Sequence, residues 1–449
     1  MPLPDLIEIV PLAAPVQAEI TVPGSKSITN RALILAALAD GEVTLKGALW
    51  SEDTEIMFDC LQKLGFEVSK KNDPDETCNR TITVKGLGGK IPNAGTAEKP
   101  LELFVGNAGT AARFLSAFVC LGHGVCRLSG VARMHERPQA ALFSALRELG
   151  YRVESEKGDD KLPVRIFGAG PKPHAKCKIG IDDSSQFASA LYLSMVVGGW
   201  EIEVVGENSE ESPYLAMTFQ MLAQFPIKTA INYWIEPDAS SSSYFKAAGW
   251  LLAPHLENAE KTVKVDEPKW SMQVDRMFSN YFRSGSYIGL VGALEKVTNI
   301  SRLSDLGDSI MTAIIMNSFA SNAIKFTDLG RLRVQECERV VALRTELTKC
   351  GAKVIEEGDT LTVYPSKLEE LHGAEIETYN DHRMAMCFAI LGLKVPGIKI
   401  KNPACVKKTF PNFFQKLAAQ PPHGLGAEIW EIKNGQRTRK LSGEDLFAE

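Results

Sequence analysis

The residues of this chain that could do chemistry lie in short polar segments, each placed directly before an apolar, helix-forming run. The first segment is Ser25-Lys26-Ser27, which follows a Pro-Gly turn and precedes the apolar residues 32–38. The N–H groups of a first helical turn are unpaired and lie at the positive end of the helix dipole, so they attract an anion. Taken alone, the segment is explained more simply as a serine-capped surface helix with solvated cations.

The same arrangement recurs along the chain, and this repetition favours a binding site. Five more polar segments open apolar runs, at residues 106–110, 182–186, 238–241, 308–309 and 380–383. Cationic side chains accompany them: Lys26, Arg31, Arg113, Arg133, Arg137, Arg333, Arg339, Arg383 and Lys408. If the six helix starts converge between two domains, as we expect, they form a focus of positive potential in an otherwise acidic protein. The predicted substrates are therefore small anions with more than one phosphate or carboxylate group, which Gly109 would allow to approach the backbone closely.

Several of these residues also have a purely structural explanation. Arg133 and Arg137 could form loop ion pairs with Glu136. Asp308 could be an ordinary helix N-cap, since aspartate is favoured at that position. Glu336 could lie on a surface helix, in ion pairs between residues three apart.

Length, composition and charge limit the class of protein. The 449 residues suffice for two or three domains, and 45% hydrophobic with 23% charged residues are ordinary for a globular protein. A net charge of −5 argues against general nucleic-acid binding. The nine cysteines are irregularly spaced and form no CxxC pair, which predicts reduced thiols in a cytosolic protein. The cysteines and histidines lack metal-ligand spacing, so we expect no metal site. We expect His382 to be a polar residue at a helix cap and Cys337 to have no nucleophilic role.

Targeting and membrane signals are also missing from the sequence. The N-terminal residues lack the pattern of a signal or transit peptide, and apolar runs such as residues 190–200 are too short to span a bilayer. We expect a cytoplasmic protein with neither membrane nor nucleic-acid partners. We further expect a monomer.

The polar segments can act together only if the elements that carry them are arranged alike, and the chain shows such an internal repeat. A polar opener, an apolar helix, a strand, a second helix and a strand pair recur along the chain, although residues 276–303 of the fourth unit show no clear pattern. The recurrence predicts an α/β fold of six βαβαββ-like units. Second helices are predicted over residues 54–64, 138–149 and 334–349, with another from 409 to 417. The first three end at glycines that we expect to be left-handed caps: Gly65, Gly150 and Gly351.

Three units in each half predict two similar globular domains. Units one to three form residues 25–236. Units four to six form residues 237–424 and take up residues 1–24 with the first strand, which makes two crossovers between the domains. Residues 425–449 are polar and charged, and we expect an appended tail with a short strand near 429–432.

Taken together, the polar segments resemble the 5-enolpyruvylshikimate-3-phosphate synthase family in order and spacing. The resemblance runs from about residue 7 to about residue 420 and is carried by residues 24–31, 106–113, 184–186, 238–241, 380–386 and 408–411. It implies the enolpyruvyl transferase fold, with two domains of three βαβαββ units each. It also implies transfer of the enolpyruvyl group of phosphoenolpyruvate to the 5-hydroxyl of shikimate 3-phosphate by addition and elimination, with release of phosphate and without a metal or other cofactor.

The resemblance implies a role for each matching residue. Phosphoenolpyruvate would be bound by Lys26, Asn107, Gly109, Arg137, Gln186, Arg339, Arg383 and Lys408. Shikimate 3-phosphate would be bound by Lys26, Ser27, Arg31, Ser184, Ser185, Gln186, Ser212, Asp308, Arg331 and Gln335. Asp308 would take the proton of the attacking hydroxyl, Glu336 would protonate the vinyl carbon, and Lys26 would stabilise the charge of the transition state. Inhibition by glyphosate is also implied, because Gly109 leaves space in the donor pocket.

The chain departs from the family pattern on the acceptor side. Gln335 stands where the family usually has lysine, Arg331 where it often has asparagine, and Glu211 where it commonly has serine, with Ser212 beside it. We hypothesise that Arg331 restores the charge lost at Gln335. The alternatives are a paralogue with another shikimate-like acceptor, the sister enzyme that acts on a UDP-amino sugar, and a non-catalytic binding protein. The motif at residues 380–383 argues against the sister enzyme, and the retained catalytic candidates argue against a binding protein.

Overall fold

The computed structural model describes residues 3–181, 184–206, 212–225, 231–253, 262–268, 270–282 and 298–449. Contacts divide the chain into two compact units, here called the N-terminal unit (Gly24–Glu236) and the C-terminal unit (Met1–Pro23 with Pro237–Glu449). The chain therefore passes from one unit to the other twice. Three positions named in the sequence analysis lie outside the described residues: Asp182, Asp183 and Glu211. The side chain of Ser212 also lies outside them.

The described strands of the N-terminal unit form two four-stranded sheets and one parallel pair. One sheet has the order Ile231–Trp234, Asp40–Leu49, Asn79–Leu87, Val68–Asn72. The other has the order Leu101–Phe104, His123–Ser129, Val164–Ala169, Arg152–Ser155. In both sheets the first two strands are parallel and the following pairs are antiparallel. Lys176–Gly180 and Glu201–Val205 form the parallel pair. The shared connectivity reflects the repeat in the sequence.

Three helices of the N-terminal unit pack on one another in its interior: Lys26–Leu38, Gly109–Phe118 and Ser185–Gly198. They are buried along almost their whole length, because most of their residues are apolar or small and the buried Arg31 and Arg113 have hydrogen-bond partners. The other described helices of this unit are Glu52–Lys63, Ala132–Glu136, Ala140–Glu148 and Ser212–Gln224, with a 3-10 turn at Val119–Leu121.

The C-terminal unit repeats the same sheet connectivity. Thr298–Ser301 is parallel to Ile324–Thr327, which continues antiparallel to Thr360–Val363 and Val354–Glu357. A five-stranded sheet has the order Glu375–Ile376, Lys399–Lys401, Leu6–Ile9, Ile429–Lys433, Gln436–Leu441. Ala18–Ile20 and Val263–Val265 form a parallel pair.

Three helices again pack on one another in the C-terminal unit: Ala239–Leu252, Ile310–Met316 and His382–Gly392. The other described helices are Phe278–Phe282, Arg339–Lys349 and Phe413–Ala418. Short 3-10 turns lie at Val274–Met277, Gly307–Ser309, Asn317–Phe319, Gly330–Val334, Leu368–Glu370, Pro403–Lys408 and Gly443–Leu446, and a π turn lies at Arg302–Leu306. In the part of the chain that the structure describes, no helix combines the length and apolar composition required to span a membrane.

The predicted glycine caps are confirmed. Gly65, Gly150 and Gly351 have φ values of +91°, +84° and +89°, in the left-handed region that side chains disfavour. The helix predicted from residue 409 begins later, at Phe413. Pro411 has no N–H to donate, so it is tolerated only before the helix or in its first turn.

Residues 425–449 contain the strand predicted near 429–432, but they are built into the C-terminal unit rather than appended to it. Ile429–Lys433 pairs antiparallel with Leu6–Ile9, and Gln436–Leu441 extends the sheet at its edge. Leu446 follows in a short 3-10 turn and is fully buried. The segment resembles a tail because its second strand is mostly polar and exposed, yet Ile429, Ile432 and Leu441 are buried.

Candidate active site

Lys26 begins the first buried helix of the N-terminal unit, and an acidic residue accompanies it. Ser25 occupies the N-cap position, although its side chain makes no capping hydrogen bond. The Nζ of Lys26 lies 3.2 Å from Oδ2 of Asp53, with 16% of the lysine and 2% of the aspartate side chain exposed. Asp53 lies in the first turn of the helix Glu52–Lys63. The carboxylate therefore orients the ammonium group at the helix start while the cation stays accessible.

Arg31 is buried one turn further along the same helix, and only 1% of it is exposed. Its guanidinium donates to Oγ1 of Thr218 at 2.9 Å, to Oγ of Ser189 at 3.2 Å and to the carbonyl of Ser27 at 3.0 Å. It also lies 5.2 Å from the centre of the Phe114 ring. In this arrangement Arg31 joins several helices of the unit, and the predicted contact with a substrate stays a prediction.

Two buried arginines surround Gly109, the first residue of its helix. Arg113 donates from Nη1 to Oε1 of Gln186 at 3.0 Å, and Arg137 donates from Nη1 to the carbonyl of Asn107 at 3.1 Å. A Cβ at Gly109 would lie 2.5 Å from Nη1 of Arg113 and 2.7 Å from Nη2 of Arg137. Glycine is therefore the residue that allows two guanidinium groups to lie beside this helix N-terminus.

The helix starts of the N-terminal unit adjoin one another through side-chain hydrogen bonds. Nδ2 of Asn30 donates to Oγ1 of Thr110 at 2.7 Å, which connects the first helix with the helix of Gly109. Ser184 caps the third helix by accepting from the N–H of Gln186 at 3.2 Å, and Ser185 is buried in the first turn. Because Gln186 also accepts from Arg113, the three predicted polar segments of this unit come together.

In the C-terminal unit, Asp308 lies between two arginines. Its Oδ1 is 3.4 Å from Nη2 of Arg302, and its Oδ2 is 3.1 Å from Nη2 of Arg383. Burial raises the pKa of Asp308, but the positive charges of Arg383 and Arg302 outweigh this effect and hold the pKa below its usual range. Asp308 is not an ordinary N-cap, since it lies within the 3-10 turn Gly307–Ser309 and the α-helix begins at Ile310.

Arg383 connects this turn with the other helix starts of the C-terminal unit. It donates from Nη1 to Oγ of Ser240 at 3.1 Å and to the hydroxyl of Tyr244 at 3.3 Å. Asp381 caps the helix by accepting from the N–H of Arg383 at 2.9 Å. The segments at 238–241, 308–309 and 380–383 are thus brought together, as the sequence pattern predicts.

Glu336 belongs to a second charged cluster in the same unit. Its Oε2 is 2.9 Å from Nη2 of Arg339, and its Oε1 is 3.8 Å from Nζ of Lys408. Arg339 also donates from Nε to Oδ2 of Asp381 at 2.6 Å and from Nη1 to Oε1 of Gln335. Glu336 is largely buried, with 8% of its side chain exposed, so its carboxylate is partly desolvated among compensating cations.

The helix predicted from residue 334 begins only at Arg339, so Glu336 lies in a loop rather than on a surface helix. Glu338 caps this helix by accepting from the N–H of Val341 at 2.7 Å. Arg333 pairs with Glu338 at 2.6 Å, with Glu356 at 2.8 Å and with Asp359 at 2.8 Å. Three carboxylates neutralise Arg333, and the expectation that it adds to the cationic cluster is wrong.

The remaining predicted residues divide into buried and exposed groups. Arg331 lies in the turn Gly330–Val334 and is 7% exposed, and Lys408 ends another 3-10 turn and is 4% exposed. Ser27 is half-buried, and Ser212 begins its helix. Whether Arg331 compensates for the glutamine at position 335 stays a prediction.

The sequence identified the ion-pair partner of Arg133 but not Asp53 as the partner of Lys26 or Arg302 as a partner of Asp308. For Arg133 the structural explanation is correct, since Nη1 lies 2.7 Å from Oε2 of Glu136, whereas Arg137 turns inward. Asp53 has a weak sequence signal, because acidic residues are favoured in the first turn of a helix. Arg302 has no sequence signal, since it lies in a segment without recognisable periodicity.

All nine cysteines are free thiols, and the described residues contain no cluster of His, Cys, Asp and Glu that could hold a metal ion.

Comparison with known proteins identifies the family of this chain. The family profile described as EPSP synthase (3-phosphoshikimate 1-carboxyvinyltransferase) matches residues 12–417. The 3-phosphoshikimate 1-carboxyvinyltransferase of Nostoc punctiforme is 36% identical over 432 residues, which covers 92% of this chain and 98% of the relative. The protein of the same name from Opitutus terrae is 35% identical over 448 residues, with 93% and 98% covered.

Solved structures show the same fold at lower sequence identity. EPSP synthase from Acinetobacter baumannii aligns with a TM-score of 0.71 and 20% identity, covering 94% of this chain and 99% of its own. The enolpyruvyl transferase NikO from Streptomyces tendae aligns with a TM-score of 0.65 and 16% identity, covering 96% and 99%. From the profile match over most of its length and the identity to curated relatives, the chain belongs to the EPSP synthase family.

Proposed function

We propose that this protein transfers the enolpyruvyl group of phosphoenolpyruvate to the 5-hydroxyl of shikimate 3-phosphate and releases phosphate. The observation that carries the proposal is the pair of carboxylates in the C-terminal unit, each set between two cations. Asp308 lies between Arg302 and Arg383, and Glu336 between Arg339 and Lys408. A base and an acid are the two groups that an addition–elimination reaction requires.

The proposed reaction has two balanced steps. In the addition, the hydroxyl oxygen of the acceptor bonds to C2 of phosphoenolpyruvate, Asp308 takes the hydroxyl proton, and Glu336 gives a proton to C3. In the elimination, the bond from C2 to the phosphate oxygen breaks and the protonated Asp308 gives its proton to the departing phosphate. The Glu336 carboxylate takes a proton from the new methyl group, which restores the double bond. Phosphate and the enolpyruvyl ether are the products.

Substrate binding would prepare both carboxyl groups for these steps. A substrate anion bound to Arg383 partly neutralises its positive charge. The Asp308 carboxylate is then less stabilised and becomes a stronger base. In the same way, phosphoenolpyruvate bound to Arg339 and Lys408 withdraws stabilisation from the Glu336 carboxylate and favours its protonated form.

The N-terminal unit would supply further anion-binding groups. We propose that Lys26, accessible beside Asp53, contacts both substrates, and that Arg137 and the N–H groups near Gly109 bind phosphoenolpyruvate. The serines that begin the third helix, Ser184 and Ser185, would bind the acceptor phosphate. We further propose that the protein acts as a cytoplasmic monomer.

A phosphate-release assay tests this proposal. Purified protein is mixed with phosphoenolpyruvate, with and without shikimate 3-phosphate, and we expect phosphate only when the acceptor is present. Asp308→Asn and Glu336→Gln should each lower kcat by about 10²- to 10⁴-fold, the usual contribution of a general base or acid. Glu338→Gln is the matched control, because Glu338 lies two residues from Glu336 but caps a helix at the surface. A rate independent of acceptor, or equal losses in all three variants, would contradict the proposal.

A different shikimate-like acceptor is the second candidate. Gln335 favours it, since a neutral amide that accepts from Arg339 stands where the family usually has lysine. Release of phosphate with another cyclic alcohol but not with shikimate 3-phosphate would support this alternative.

A further inference from the structure

A buried carboxyl group that the proposed reaction does not use contacts the turn that carries Asp308. Asp275 lies in the 3-10 turn Val274–Met277, and only 5% of it is exposed. Its Oδ1 accepts a hydrogen bond from the N–H of Ser309 at 2.6 Å. Its Oδ2 lies against Gly307, where an added Cβ would be 2.8 Å away. Asp275 therefore contacts both neighbours of Asp308 in the chain.

The backbone around these contacts is shaped to receive the carboxyl group. Gly307 has a φ of +56°, which side chains disfavour, and it also lacks the space for a Cβ. Close by in the chain, Gln273 accepts from the N–H of Ala239 at 3.1 Å and donates to the carbonyl of Pro237 at 2.8 Å. One short segment thus holds both the Asp308 turn and the start of the helix Ala239–Leu252.

We propose that Asp275 is a positioning residue: by holding the amide of Ser309, it keeps the Asp308 carboxylate in place between Arg302 and Arg383. The two arginines approach Asp308 at its side chain, whereas Asp275 holds its backbone. Because the arginine contacts are 3.4 and 3.1 Å long, a small shift of the turn would break them. The inference rests on the proposed function, since that function is the reason for calling Asp308 a base.

The charge of Asp275 is consistent with this role. Burial and the negative charges of Asp308 and Asp238 raise the pKa of Asp275 to about 7. The positive charge of Arg383 and the hydrogen bond from the N–H of Ser309 oppose this rise. Below this pH, the neutral carboxyl group still accepts from Ser309 and does not repel Asp308. Above it, a second negative charge faces Asp308 and strengthens it as a base.

Two substitutions separate the hydrogen bond from the charge. Asp275→Asn keeps an oxygen that can accept from Ser309, whereas Asp275→Ala does not. Glu8→Gln is the control, since Glu8 is another carboxylate of the C-terminal unit, 7% exposed and bound to Arg437. We expect Asp275→Ala to lower kcat at least about tenfold with KM within about twofold, and the other two variants to keep kcat within about threefold at pH 6.

The pH dependence of kcat gives a readout that a purely structural role would not change. The parent chain and Glu8→Gln should show an inflection near pH 7, and Asp275→Asn should lack it. An unchanged inflection in Asp275→Asn would overturn the proposal, even if Asp275→Ala does not fold. A loss of kcat in Asp275→Asn as large as in Asp275→Ala at pH 6 would overturn it as well.

Hydrogen exchange of the Ser309 amide, followed by NMR in the full chain, needs no turnover. Asp275→Ala should exchange this amide at least about tenfold faster than the parent chain, and Asp275→Asn should not. Unchanged exchange in Asp275→Ala would refute the positioning contact. If the parent chain releases no phosphate with the acceptor, the proposed function fails, while the exchange rates still decide whether Asp275 holds the turn.

Discussion

Replacing Gly109 by alanine tests whether the space between the two arginines matters for donor binding. The added Cβ would lie 2.5 Å from Nη1 of Arg113 and 2.7 Å from Nη2 of Arg137. Carbon and nitrogen atoms pack at about 3.4 Å or more, so each guanidinium group would have to move by about 0.8 Å. Arg137 would then lose part of its hydrogen bond to the carbonyl of Asn107, now 3.1 Å long.

The magnitude follows from two terms. Overpacking of a buried position costs about 1–3 kcal/mol. A weakened charge-assisted hydrogen bond costs up to a similar amount, about 1.5–3 kcal/mol if it is lost entirely. If about 1.4–2.8 kcal/mol of this falls on donor binding, the KM for phosphoenolpyruvate rises about 10- to 100-fold, since each 1.4 kcal/mol is a factor of ten. Inhibition by glyphosate, which the resemblance to the family implies, should weaken as well.

Steady-state kinetics with phosphate detection measures this change. Gly358→Ala is the control: its φ is +55° and no atom lies within 4 Å of the added Cβ, so alanine is strained there but crowds no side chain. We expect the control to lose about 1 kcal/mol of stability and to keep its KM. A Gly109→Ala protein whose KM stays within about twofold of the parent value would refute the reasoning, because the space beside Arg137 would then not matter for donor binding.

Three further predictions concern single contacts and the C-terminal segment. Lys26→Ala should lower kcat by at least about 10²-fold, because it removes a preorganised cation, while circular dichroism shows an intact fold; a near-normal rate would contradict the role given to Lys26. Arg437→Ala should cost about 1 kcal/mol at pH 7 in a denaturant titration, since it frees Glu8 while about half of the arginine side chain is exposed. The hydrogen bond from Arg437 lowers the pKa of Glu8 below 4.5, so this contribution is present above that pH and should disappear as the pH falls; an unchanged difference at low pH would argue against it. Truncation after Gly424 should prevent stable folding, because it removes the strand that pairs with residues 6–9 and several buried side chains worth about 1.5–3 kcal/mol each; a truncated chain of parental stability would contradict the built-in segment.

Much of the fold could be predicted because its signals are local. Gly65, Gly150 and Gly351 follow the polar segments that open their units at similar distances, and the backbone favours glycine where φ is positive. The polar helix starts were recognisable for the same reason, since each combines small hydroxyl, amide or acidic residues with a following apolar run. Errors occurred where several local explanations fit equally well. The helix assigned from residue 334 begins at Arg339, and residues 425–449, for which only one short strand was predicted, contribute two strands to a sheet of the C-terminal unit.

By itself, the sequence determined the class of fold and the recurrence of polar segments before apolar helices, and it predicted anionic substrates. Only the tertiary structure decided which charges meet: Lys26 with Asp53, Asp308 with Arg302 and Arg383. The physical reason is that helix starts and caps depend on neighbours a few residues apart, whereas an ion pair depends on packing between elements far apart in the chain. The same charge can therefore be neutralised at the surface, as in Arg333, or held beside a helix N-terminus, as in Arg137, and no local pattern distinguishes the two.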